Sequence, residues 1–154
     1  MDYLAHAIEL AIDNVKAGGR PFASVIVHQQ TIIATGLNLT AQTRDPTAHA
    51  EVLAIRKASQ ILNSESLRGC ELYTTCEPCP MCLGALYWAE LDLVTFAFPG
   101  QQASRYYHAV RKYHTPESFY AEFALSFDRR HLPMTLDQRK EALDLFSLWK
   151  EKNS

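Results

Sequence analysis

At 154 residues, with 47% apolar and 21% charged side chains, the chain is long enough to bury a core without cross-links. Its net charge of −2 argues against a nucleic-acid or membrane-surface partner, and no apolar run is long enough to span a bilayer. The opening "MDYLAHAIELAIDNVKAGG" lacks the basic start and long apolar run of a secretory leader, so a cytoplasmic location is expected. In that reducing setting the four cysteines point to metal binding or catalysis rather than to disulfides.

The first predicted element is a helix, with Leu4, Ala7, Ile8, Ala11 and Val15 at helical spacing and Gly18-Gly19 closing it. "PFASVIVHQQTIIATG" then reads as two strands in a hairpin around Gln29-Gln30, a turn without the usual Asn-Gly chemistry. "NLTAQTRDPT" is a loop. A second helix is expected over 48–62, with Val52, Ile55 and Leu62 on its buried side. "CELYTT" is a third strand, "CPMCLGALYWAE" a third helix and "LDLVTFAF" a fourth strand.

Beyond Pro99-Gly100 the pattern weakens. "QQASRYYHAVRKYH" and "PESFYAEFALSF" read as helical, and "HLPMTL" as strand or loop. Residues 137–152 form an amphipathic helix with Leu143, Phe146 and Trp149 on one stripe. Strands alternating with helices predict one α/β domain over residues 1–154, a mixed sheet of about five strands covered by helices on both faces.

Two strings carry chemistry: "TAHAE", Thr47 to Glu51, and "EPCPMC", Glu77 to Cys82. Each lies where a loop or strand hands over to a helix. Cys79 and Cys82, three apart at a helix start, put both sulfurs on one face. The helix N-terminus favours their thiolate forms, and Pro78 and Pro80 suit a helix entrance. His49, at the other helix entrance, would be a third ligand. Two thiolates and an imidazole suit Zn2+, and three protein ligands leave a fourth position open, as a catalytic rather than a structural site requires. With His49 at a non-helical cap, Glu51 can converge on the same centre and do general acid–base work. Cys76, at a strand end, and Cys70 read as small buried hydrophobes.

This arrangement resembles the cytidine deaminase superfamily, whose zinc deaminases share the His-x-Glu and Pro-Cys-x-x-Cys pair. The resemblance implies a cytidine deaminase-like three-layer fold and hydrolytic deamination, with Glu51 protonating a ring nitrogen and then the leaving ammonia. "DPTAHAEVLAIRKA" and "YTTCEPCPMCLGALYWA" look most like bacterial guanine deaminases. That branch implies a free base as substrate, guanine giving xanthine. It also implies substrate contacts from Asn38 and Phe22, with the backbone of Ala50 and the ring of Trp88 bordering the pocket.

The likeness departs after Phe98, where the chain reads "PGQQASRYYHAVRKYHTPESF" in place of an acidic, glycine-containing segment. Cytosine, a pterin, an aminotriazine or a nucleoside are therefore alternative substrates. A tRNA adenosine deaminase, its RNA touched by the basic–aromatic "RYYHAVRKYH", or a silent zinc domain rank lower. The family implies a homodimer, in the guanine branch with the C-terminal helix exchanged between subunits.

Overall fold

Val25, Ile26 and Val27 are almost wholly buried, which makes their strand the centre of the sheet on which everything else packs. In the computed structural model this is β1 (Ala23–His28). Residues 1–107 and 116–153 are described, the side chains of residues 116, 117 and 143 apart. The chain divides into two compact units, Met1–Val110 and Arg111–Ser154.

In the first unit, α1 (Tyr3–Lys16) precedes β1 and β2 (Thr31–Leu37); a short α2 (Thr40–Thr43) and α3 (Ala50–Leu62) follow. Next come β3 (Cys70–Thr74), α4 (Pro80–Trp88), β4 (Leu93–Phe96) and a short α5 (Gly100–Ala103). The strand order is β2-β1-β3-β4. β1 runs antiparallel to both β2 and β3, while β3 and β4, joined through α4, are parallel.

The sheet is mixed, as expected, but among the described residues it has four strands rather than about five. Pro99-Gly100 turns the chain into α5 immediately after β4, and "HLPMTL" forms no strand. Proline has no N–H to offer a ladder, so the chain leaves the sheet there.

Alternation along β1 builds two cores. Ile26 faces Ala54 and Ala58 of α3, Leu86 of α4, and Leu67 and Leu72. Val25 and Val27 face Ala7 of α1, with Tyr3, Leu10 and Tyr73 packed around them. Helices therefore cover both faces, the three-layer arrangement. Burying each of Ile26, Leu67 and Leu72 contributes roughly 1.5–3 kcal/mol.

The innermost residues of α3 are Ala50, Ala54 and Ala58, whereas the predicted Val52, Ile55 and Leu62 are only partly buried. Alanine at every fourth position lets the helix backbone approach the sheet closely, and Gly36 on β2 receives it. α1 ends as the sequence implied: Gly18 adopts φ +85°, and Gly19 N–H bonds back to Asn14 at 2.7 Å. The hairpin turn is made by Gln29 and Gln30, both at positive φ (47° and 62°). A two-residue turn of this hand demands that conformation whatever the residue. Tyr3 Oη helps to hold it, donating to the Gln30 carbonyl at 2.7 Å.

The second unit contains α6 (Pro116–Phe123), a 3-10 turn (Phe127–Arg129) and α7 (Lys140–Lys152). Glu122 accepts from the His131 N–H at 2.6 Å and pairs with its ring at 2.7 Å. On α7, Phe146 and Trp149 of the predicted stripe are exposed; the Leu143 side chain lies outside the described residues. Half of the expected helix over "QQASRYYHAVRKYH", residues 108–114, also lies outside the described residues; of the described half, only residues 101–103 are helical, as the end of α5.

Candidate metal and catalytic site

Two helix entrances meet at the site. His49 is the cap residue of α3, with an extended backbone (φ −74°, ψ 155°). Cys79 is the cap residue of α4 (φ −67°, ψ 166°), Pro80 follows as the first helical residue, and Cys82 lies one turn in. The loop before His49 is stiffened locally. Asp45 Oδ1 accepts from Thr47 N–H at 2.8 Å and Thr47 Oγ1 at 2.7 Å, an Asx turn that also lowers the Asp45 pKa.

The donor atoms converge. His49 Nδ1 lies 3.6 Å from Cys79 Sγ and 3.5 Å from Cys82 Sγ, and all three ligand atoms fall within 4.8 Å of one another. A tetrahedral zinc ion with ordinary Zn–S and Zn–N bonds requires an N–S separation of about 3.6 Å. The set therefore fits Zn2+ in chemistry and in spacing. Cys76 is not a member of this group, so the donor set stops at three among the described residues.

Electrostatics favour the same reading. The Cys79 thiol is held down at about 4 by a hydrogen bond from Cys82, reinforced by His49 against the cost of burial. The same bond, with burial, pushes the Cys82 thiol up. The pair thus favours a thiolate on one sulfur, the form that binds metal. Glu51, only 7% exposed, sits beside them, and burial raises its pKa. A carboxyl whose charge is opposed by burial, yet which neighbours His49, is suited to carrying protons.

A cavity of about 180 Å³ is walled by Pro21, Phe22, Thr75, Cys76, Phe98 and Tyr107, together with Ala103 and Tyr106. Its wall residue Cys76 also lies close enough to Glu51 and Cys79 to feel their charges. Burial first, then the Glu51 charge, pushes that thiol to about 11, so it stays protonated. Phe22 meets the Tyr107 ring edge-on at 5.0 Å, and the Arg20 guanidinium stands 5.6 Å over the same ring.

Residues 1–98 match the cytidine and deoxycytidylate deaminase zinc-binding region. The chain is 41% identical over 149 residues to the guanine deaminase of Bacillus subtilis (strain 168), covering 96% of this chain and 92% of that protein. It belongs to the cytidine and deoxycytidylate deaminase family. The X-ray structure of the Bacillus subtilis guanine deaminase superposes with a TM-score of 0.87 at 41% identity, over 97% of this chain and 92% of that one. A guanine deaminase from Nitrosomonas europaea matches with a TM-score of 0.65 at 26% identity, over 77% and 70% of the two chains. The tRNA-specific adenosine deaminase of Aquifex aeolicus (strain VF5) is 41% identical over 95 residues, 62% of this chain and 63% of that protein.

The remaining predicted residues of this deaminase distribute unevenly. Asn38, 3% exposed, donates its backbone N–H to the Phe22 carbonyl at 3.0 Å, and the next residue bonds to Ala48 at 3.0 Å. These bonds tie it between the cavity wall and the approach to His49. Phe22 lines the cavity. Ala50 is the fully buried first residue of α3, where a helix N–H has no intrahelical acceptor. Trp88, at the last turn of α4, is 88% exposed and is not among the residues walling this cavity.

Two residues, Tyr107 and Glu77, were not singled out from the sequence, and Cys76 was read only as a small buried hydrophobe. Cys76 and Tyr107 wall the cavity. Glu77 clamps the corner after β4: its N–H donates to Phe98 O at 2.9 Å, and its carboxylate accepts from Gly100 N–H at 2.9 Å. The signal for Glu77 was its place inside the cysteine motif. Tyr107 carried a weaker one, lying in the segment that departs from the guanine deaminase pattern.

Proposed function

We propose that this chain catalyses hydrolytic deamination of a free purine base, guanine to xanthine with release of ammonia. The observation that carries the reading is the buried Glu51 beside an open His49–Cys79–Cys82 donor set. The choice of guanine is supported by near-full-length likeness to the Bacillus subtilis guanine deaminase; the tRNA deaminase of Aquifex aeolicus matches over only 62% of the chain.

His49, Cys79 and Cys82 would hold zinc, which when bound would supply a Lewis acid that brings the acidity of water towards neutral pH. Glu51 takes a proton from the attacking water and delivers it to a ring nitrogen. It then carries a second proton to the departing amine, so the ring carbon gains oxygen and loses ammonia. Phe22 offers the base an aromatic face, while Asn38 and the Ala50 N–H offer polar contacts to its edge.

The discriminating experiment is ammonia release across guanine, cytosine, adenine, a pterin, an aminotriazine, guanosine and an anticodon-stem RNA. Guanine is expected to be turned over fastest. Turnover of the RNA with guanine ignored would overturn the reading.

None of the four cysteines is paired in a disulfide, which fits a reducing, cytoplasmic setting. No described helix is long and apolar enough to cross a membrane. The 154 residues work as one deaminase domain that assembles as a homodimer, its C-terminal helix exchanged between subunits. In support, the first unit leaves Ile12, Val15, Tyr87 and Trp88 exposed, and the second leaves Leu145, Phe146, Leu148 and Trp149 exposed. Sedimentation is expected to give a dimer; a stable monomer at micromolar concentration would contradict that assembly.

A further inference from the structure

The Asn38 carboxamide has a fixed polarity. Its Oδ1 accepts from Thr40 Oγ1 at 2.9 Å and from the Thr40 backbone N–H at 3.3 Å. A peptide N–H can only donate, so the group facing it must be the amide oxygen. Flipping the side chain would set that N–H against an NH2 group.

The other half of the amide is free to work. Among the described residues, Nδ2 meets no protein acceptor. Yet no described, fully buried side-chain nitrogen or oxygen lacks a partner. Nδ2 of this 3%-exposed residue is therefore not sealed in the core but keeps some accessible surface. Asn38 is anchored to Phe22, on the cavity wall, and lies next to the residue bonded to Ala48, which precedes His49.

We infer that Thr40 is a positioning residue that presents Asn38 to the substrate as a hydrogen-bond donor alone. The site then selects heterocycles that offer an acceptor on that edge, an oxo group or an unprotonated ring nitrogen. It discriminates against those with an exocyclic amine there, which would face donor with donor. This inference rests on the deaminase reading above and adds the chemical character of the edge that is read.

The test compares wild type, Thr40→Val and Thr40→Ser, all zinc-loaded, on guanine, 2-aminopurine (no 6-oxo acceptor) and 7-deazaguanine (no N7 acceptor). Wild type is expected to prefer guanine over at least one analogue. Thr40→Val is expected to raise KM for guanine by about 3- to 10-fold, the effect of one lost hydrogen bond. It is also expected to shrink that preference by a similar factor, the loss falling mainly on KM rather than kcat. Thr40→Ser is expected to restore both, while zinc content and melting temperature stay level across the three. A Thr40→Val enzyme with wild-type KM and wild-type preference overturns the inference but leaves the deaminase reading intact.

If wild type ignores guanine, the deaminase reading fails instead, and the side-chain amide NMR signals of Asn38 decide the orientation. Those signals are expected to shift in Thr40→Val and return in Thr40→Ser. A pair unmoved by loss of the hydroxyl overturns the inference whatever the substrate.

Discussion

Glu51→Gln is expected to lower kcat by about 10³-fold or more while zinc content and melting temperature stay at wild-type values. Glutamine keeps the size and polarity of the side chain but cannot take up and hand on a proton. Glu51 is the second residue of α3 and only 7% exposed, so no bulk water substitutes for it readily. The three metal-binding side chains are separate residues and keep their positions. Steady-state ammonia release beside metal analysis reads both quantities. A variant with more than a tenth of wild-type turnover would remove Glu51 from the proton path. One that loses its zinc would make the residue a structural support of the metal group.

Gly36→Ala is expected to damage stability and turnover together, although Gly36 touches neither metal nor base. A Cβ at position 36 would stand 2.0 Å from the Ala50 carbonyl oxygen and 2.7 Å from the Ala54 nitrogen. Both neighbours are backbone and cannot swing away, so α3 must retreat from β2 by about 1 Å. Overpacking of this kind costs on the order of 2–3 kcal/mol, equivalent to a melting-temperature drop of about 5–10 °C in a chain of this size. His49 and Glu51 belong to the end of α3 that is pushed. A displacement of that size at the reacting groups lowers turnover by about 10²-fold. Thermal denaturation and kcat/KM measured on the same preparation check both halves. A Gly36→Ala protein matching wild type in each would mean that β2 does not set the position of α3.

The metal group was legible because its chemistry is concentrated in short strings. A histidine and two cysteines at helix entrances have few other uses in a reducing compartment, and caps leave side chains projecting from helix ends. Glu51 was legible for a related reason. Its two-residue offset from His49 makes sense only if His49 has left the helix, and its extended backbone shows that it has.

The strand count was not legible. "HLPMTL" has strand-like composition, but local composition does not supply a neighbour to pair with, and β4 is followed by Pro99-Gly100 and a helix. The depth of α3 was misjudged because hydrophobicity ranks Val52 and Ile55 above alanine. Close approach to Gly36 instead selects the small residues. Trp88 was named through the family resemblance, and its ring is exposed at the end of α4. Cys76 and Tyr107 are far apart in sequence, and only the fold brings them to one cavity wall.

The most direct measurement follows guanine in a sealed reaction with the zinc-loaded protein, quantifying xanthine and ammonia together, with a chelator-stripped sample alongside. Equimolar xanthine and ammonia are expected, lost on stripping and regained when zinc is returned. Guanine left unchanged by a protein that holds one zinc per chain would contradict the central claim.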